Sequence, residues 1–394
     1  MGVVDIFIFV LILIAGHAGI NQFIRSFKVD QYRTTLIGLF YYHLLFGLLF
    51  GWYVWIYGGD AIGYWKMTRL YQFMPNGYWW ELHQPGTPFI HLVIYPFSDI
   101  LGLSYWTLTL VFAFIGFFGF AFLLVTFLRT IPQVPRLFGW SIFPALLFLP
   151  NLHFWSGGIG KDSLIFFALS LFVFSLTRPI RNIPGLMTSI YLAFMIRPHI
   201  ALLMIVSMIF ALLTSSQGFG TFWRVVLLGL SVYVFVLISP SVLEFIGVEQ
   251  NIDSFEDVSE IRSRNLSRGS VGSAIDISTY NVPLKIFTFF YRPLFVDASN
   301  LFGWIVSLEN LIYLVLTLSA LRGRIIADIF GMPPHLKASI LMMGAAAYFM
   351  SGSLSNLGII IRQKNMVMFM LLLLCSYLIS RRQWQPMPVA SKRI

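Results

Sequence analysis

Residues 6–24, IFIFVLILIAGHAGINQFI, carry no charged side chain, and runs of this kind return along the whole chain. At 1.5 Å per residue, ~20 apolar residues in a helix match a hydrocarbon core of ~30 Å. With 58% hydrophobic and 11% charged residues over 394 positions, no single water-soluble core can hide that surface. Ordinary soluble domains carry about 25% charged residues. The chain therefore reads as an all-α, polytopic integral membrane bundle forming one transmembrane domain over residues 1–394. Soluble enzymes, secreted disulfide scaffolds and disordered proteins are excluded. A lone cysteine, Cys375, excludes an internal disulfide and a multi-cysteine metal site.

Run length and punctuation predict about eleven membrane helices, near 3–24, 35–57, 107–128, 137–152, 162–177, 183–197, 199–215, 222–243, 300–321, 336–352 and 364–380. Several are short and lie beside Pro150, Pro184 or Pro198, a pattern of tilted or broken helices around a cavity. The stretches 86–101 and 283–297 are too short to cross and read as interfacial or re-entrant helices on the outer face. No basic segment precedes the first run, whereas Arg25, Lys28 and Arg33 follow it, which predicts a first membrane helix with its N-terminus outside. Alternation then gives inner loops with fifteen Lys and Arg against Asp30 and Asp328, and a C-terminus inside. Charge placed this way encodes topology, so the net +10 is not read as a nucleic-acid surface. No internal repeat stands out.

With that topology the unusual polar residues gather on the outer face. In the outer loop 58–106, Gly58-Gly59-Asp60 ends the second run and precedes Tyr64 and Trp65. Asp60 can act as a general base or metal ligand, or cap the next helix, and the two aromatics can stack on a sugar or belong to the interfacial belt. Gly157-Gly158-Ile159-Gly160-Lys161-Asp162-Ser163 lacks P-loop spacing. It still delivers Lys161 and Asp162 to a helix N-terminus, a place suited to an anion, with Asp162 alternatively a simple cap. Arg197-Pro198-His199 places a cation beside a proline near membrane depth, for function or for a structural acid pair. Asn356 precedes Arg362 and Lys364, which defy the inside bias and suit a bound phosphate. The long outer loop 244–299, acidic, then basic, then closing with Tyr291-Arg292-Pro293, reads as a lid or as a solvated linker. His17, His43, His83, His91 and His335 lack metal-ligand spacing and read as structural.

The loop bearing Asp60 resembles the early extracytoplasmic loop of GT-C-type membrane glycosyltransferases. The stretches FWSGGIGKDSLIF, MIRPHIALL and NLGIIIRQKNM resemble membrane proteins of bacterial polysaccharide clusters, commonly grouped with Wzy-like polymerases. In GT-C enzymes the acidic residue usually follows the first helix, whereas Asp60 follows the second. The resemblance implies a bacterial inner-membrane enzyme making cell-surface polysaccharide from polyprenyl-(pyro)phosphate-linked glycans, with other assembly proteins and membrane lipids as partners. It implies Asp60 as the catalytic residue, and the reading of the residues themselves adds Asp162 as the second catalytic candidate beside Lys161. Lys161, Arg197, His199, Arg292, Arg362 and Lys364 would hold phosphate, with a groove for the lipid tail formed by helices such as 107–128. A divalent metal ion is the open cofactor. A lipid-linked glycan flippase is the competing reading, disfavoured by a nearly bare midplane. A purely structural membrane protein is disfavoured by the ionisable residues of the outer face.

Overall fold

The computed structural model describes residues 2–68, 70–214, 220–246, 280–298, 300–322, 331–353 and 357–384. It is an all-α bundle whose only strands among the described residues are a two-residue antiparallel pair, β1 (Arg136–Leu137) and β2 (Trp140–Ser141). Six helices are long and apolar enough to cross a membrane. Together with shorter apolar helices they run back and forth between two ends of the bundle.

Helix α1 (Val3–Phe27) descends and α2 (Arg33–Tyr57) returns. After α3 (Asp60–Trp65) and α4 (Thr87–Tyr95), α5 (Tyr105–Thr130) descends again. Its start is tied to the start of α1, because Asp5 Oδ1 accepts the N–H of Ser104, the residue that caps α5. At the lower end Arg129 reaches Thr177, Thr130 meets His335, and Gln133 bonds Ser380, so these chain segments share a level. That end carries Arg25, Lys28, Arg33, Arg129, Arg136, Arg178, Arg181, Lys337, Arg381 and Arg382.

The expected helix over 137–152 does not form. Pro135, Gly139, Pro144 and Pro150 punctuate this stretch too closely, since proline interrupts the i to i−4 ladder. The chain instead makes the β1–β2 turn, one 3₁₀ turn and the short helix α6 (Pro150–Ser156). It still climbs the bundle beside α2. Phe143 stacks on Phe127, Phe148 packs on Tyr42, His153 meets His43, and Phe154 packs on Phe50. A 114° bend follows, and α7 (Lys161–Leu176) descends. Gly47 and Gly157 allow the close approach of α2 and this climbing segment, because a Cβ on Gly157 would lie 2.9 Å from Gly47 backbone.

Irregular backbone inside an apolar bundle needs internal partners. The carbonyl of Phe148 accepts from Tyr42, and the N–H of Asn151 donates to Glu309 Oε2 at 2.8 Å. The carbonyl of Leu147 can only accept, so His153 donates from Nε2 and takes the Nδ1 proton of His43 on its own Nδ1. The sequence reading expected the midplane to be nearly bare. The structure buries Glu309, Asn310, Lys364, Asn365, Asn151 and both histidines inside the apolar bundle.

The remaining helices are α8 (Ile183–Ile196), α9 (Pro198–Thr214), α10 (Thr221–Ile246), α11 (Val282–Tyr291), α12 (Leu301–Ala320), α13 (Pro334–Ser353) and α14 (Leu357–Gln383). Helix α11, capped by Asn281, points inward until its last carbonyls meet Lys364. The chain then returns through residues 293–300 to the Asn300 cap of α12. Most of the 244–299 loop, residues 247–279, lies outside the described residues, as does Asn356.

Candidate functional site

The upper end of the bundle gathers charges from four remote segments. A Gly58-Gly59 turn, with φ of 82° and 158°, ends α2 and puts Asp60 at the first position of α3. These angles are open to glycine and strained for other residues. Gly160 starts α7, placing Lys161 and Asp162 in its first turn. Pro198 forces the break between α8 and α9 that holds Arg197, and Arg362 stands near the start of α14.

Asp162 is the centre. Its Oδ1 accepts from Arg197 Nη2 at 2.7 Å and its Oδ2 from Arg362 Nε at 2.5 Å. Asp162 and Arg197 are 13% and 14% exposed, so this pairing is shielded from water. Arg362 is also 3.8 Å from Asp60 Oδ2 and lies 5.8 Å over the Trp155 ring. The Asp60 contact is too long for a hydrogen bond, and its side chain is 67% exposed. Lys161 Nζ donates to Thr87 at 3.1 Å, with no carboxylate within 4.0 Å among the described residues. Burial, together with the nearby Asp60 charge, raises the Tyr64 phenol above its ordinary pKa, so it stays protonated.

Beside this cluster lies a pocket of about 140 Å³. Phe50, Tyr53 and Val54 of α2 form one wall, and Trp155, Gly158 and Ile159 another. Asp60, Asp162 and Arg362 supply its charges. Guanidinium groups fixed by a shielded carboxylate, an exposed carboxylate and aromatic walls can together neutralise an anion, accept a proton and stack on a ring.

Of the residues predicted for this face, Asp60, Tyr64, Lys161, Asp162, Arg197 and Arg362 come together. His199 is half-buried in the first turn of α9. Arg292 and Lys364 do not join them. Arg292 is spent on Asp297, with bonds of 2.5 and 3.0 Å, and on the Tyr280 hydroxyl. These bonds hold the Asp297 carboxyl below the usual range and raise the Arg292 guanidinium. Lys364 is fully buried and gives its three protons to Asn310 Oδ1 and the carbonyls of Arg292 and Phe290. It caps the end of α11, where a cation opposes the helix dipole. Trp65 points the other way, donating to the Leu103 carbonyl and packing on Tyr105. Helix α5, expected to line a lipid groove, is mostly buried against α2 and α7.

Sequence reasoning missed Thr87, Trp155 and the Glu309–Asn310 pair. A signal existed for the pair, since an ionisable residue inside an apolar run is a site by default. Among the described residues no group of three or more His, Cys, Asp or Glu side chains could hold a metal ion. His17, His43, His83, His91 and His335 pair in turn with Tyr41, His153, Tyr191, Met67 and Thr130. Comparison with protein-family models, curated proteins and solved structures finds no match.

Proposed function

We infer that this chain is a membrane glycosyltransferase or glycan polymerase that uses polyprenyl-phosphate-linked sugars at the extracytoplasmic face, in cell-surface polysaccharide synthesis. One observation carries the reading. Lys161, Arg197 and Arg362 converge with Asp60 and Asp162 beside an aromatic pocket, at the end opposite the cation-rich one. The positive-inside rule then puts this site outside a bacterial inner membrane, with the N-terminus outside and the C-terminus inside.

The chemistry follows from the charges. An acceptor hydroxyl oxygen attacks the anomeric carbon, and the bond from that carbon to the phosphate oxygen breaks. Arg362 and Lys161 neutralise the leaving (pyro)phosphate. Asp60 takes the hydroxyl proton. Asp162 has both oxygens committed to arginine, so it positions the two guanidiniums. The test is transfer by the purified protein in liposomes from a polyprenyl-diphosphate-linked glycan. Product formation lost in Arg362→Ala supports the reading, and absence of transfer with every such donor refutes it.

The bent α6–α7 pair and the inward-pointing α11 favour a second reading, a flippase for the same lipids, because transporters use discontinuous helices. Against it, the polar groups buried in the bundle are used internally: Glu309 accepts from Asn151 and Tyr313, and Asn310 bonds Lys364 and the Pro293 carbonyl. Dithionite quenching of a fluorescent lipid-linked glycan in the same liposomes separates the two, because a flippase exposes the inner-leaflet probe and a transferase does not.

A further inference from the structure

We propose that the indole of Trp155 is the platform on which the first sugar of the phosphate-linked donor stacks, and that the buried Asn151–Glu309–Asn365 network holds that ring still. The proposal deepens the functional reading above and rests on it for the identity of the lipid carrier.

The two aromatics that the sequence offered for this task are engaged elsewhere. Trp65 packs on Tyr105 and donates to the Leu103 carbonyl. Tyr64 packs against His91 and takes no part in lining the pocket. Trp155 borders the pocket together with Asp60, Asp162 and Arg362, so its ring shares one cavity with the exposed carboxylate and the paired guanidinium. The guanidinium carbon of Arg362 stands 5.8 Å from the ring centre. Direct stacking brings atoms to ~3.5–4 Å, so the cation flanks the indole without packing it shut.

The ring is also tethered. Trp155 Nε1 donates to Asn151 Oδ1 at 3.1 Å. Asn151 is itself buried and locked: its side-chain nitrogen donates to Asn365 Oδ1, its backbone N–H to Glu309 Oε2, and its carbonyl accepts from Asn365 Nδ2. Phe50 and Phe154 meet the indole at 70° and 88°. Turning the indole away would leave a buried amide oxygen without its donor. A platform that cannot move loses little freedom when a ligand lands on it.

A pyranose has a face of C–H groups and a rim of hydroxyls. The C–H face suits the electron-rich face of an indole. In this class of donor a single oxygen joins the anomeric carbon to phosphorus. A phosphate on Arg362 therefore puts the first sugar close to that guanidinium, where Trp155 lies. Asp60 borders the same cavity and is 67% exposed, which leaves it accessible to an acceptor hydroxyl. A bare lipid diphosphate would use Arg362 and leave the indole idle. Trp155 thus separates the glycosylated donor from the spent carrier.

The experiment measures a difference in affinity. The full-length protein in nanodiscs is titrated with polyprenyl diphosphate and with the same lipid carrying one glucose, galactose or N-acetylglucosamine. Wild type should bind at least one glycosylated lipid several-fold more tightly than the bare one. Trp155→Leu should abolish that increment and keep the affinity for bare lipid. Tyr57→Leu, which removes an exposed ring at the end of α2, should keep the increment. No increment for any of the three sugars in wild type overturns the proposal, as does an increment that survives Trp155→Leu. An equal loss for bare and glycosylated lipid in Trp155→Leu also overturns it, because the indole would then serve Arg362 alone. If Trp155→Leu does not fold, a reduced increment in Trp155→Phe supports the platform and one equal to wild type overturns it. Titration reads binding without turnover. A Trp155-dependent increment in a protein that transfers no sugar keeps the platform and sinks the transferase reading. Transfer with no such increment does the reverse.

Discussion

Asp162 and Arg362 stand 200 residues apart in the chain and are joined by a 2.5 Å bond from Nε to Oδ2. The bond fixes the start of α7 to the start of α14. With Arg197 on its other oxygen, Asp162 holds two arginines at one point, and neither can swing to solvent without breaking a shielded pair. A cation locked in place loses little freedom when an anion binds, the preorganisation that electrostatic catalysis requires.

Arg362→Ala should weaken binding of a polyprenyl phosphate by about 1.5–3 kcal/mol, the range for a charge-assisted hydrogen bond. Arg362→Lys should recover only part of it, because a point charge cannot reproduce the fork that now spans Asp162 and faces Asp60. Fluorescence titration in nanodiscs measures both. Full affinity in Arg362→Ala would remove this residue from the anion site.

Asp60→Asn keeps the side-chain shape and removes the base. Turnover should fall roughly 100- to 10,000-fold while lipid binding survives. Cells carrying Asp60→Asn that still make glycan at the normal rate would overturn the assignment of Asp60 as base and make an arginine-led mechanism the better reading.

Lys364→Met should lower stability. The substitution fills similar space but leaves Asn310 and two carbonyls at the end of α11 without their donor. Each buried acceptor left unmatched costs about 1–3 kcal/mol. Thermal unfolding in detergent should show a clear loss of Tm, and an unchanged Tm would contradict the capping role.

The Arg292–Asp297 pair predicts a pH dependence. Asp297 has a folded pKa below the ordinary value of about 3.9 because Arg292 donates to it. Its contribution is therefore complete above about pH 3.9 and is lost as pH falls through the lower folded value. Wild type should unfold at a higher temperature than Asp297→Asn at neutral pH, and the gap should shrink in acid. A gap that stays constant down to acid unfolding would exclude this linkage.

Reporter fusions at residues 30, 180 and 390 should all report cytoplasm, because each follows a descending or precedes an ascending segment at the cation-rich end. An external signal at any of them would remove the basis for placing the site outside.

Apolar runs, cation placement and proline determined from sequence alone that the chain folds as an all-α bundle with helices long and apolar enough to cross a membrane, because transfer energy and topology depend on composition over ~20 residues. They also marked Asp60, Lys161, Arg197 and Arg362 as exceptional, since charge at a helix end or beside proline is local information. Only the tertiary structure separated Arg362 from Lys364, two residues further along the same helix. Two residues turn a helix by roughly 200°, so one side chain faces Asp162 and the other faces the end of α11. The same geometry turned Trp65 away from its neighbour Tyr64. It also made 143–160 a climbing segment in place of a regular helix, since the partners that satisfy its backbone come from Tyr42, Glu309 and His153. Tyr42 and Glu309 lie far from it in sequence, where local pattern cannot see them.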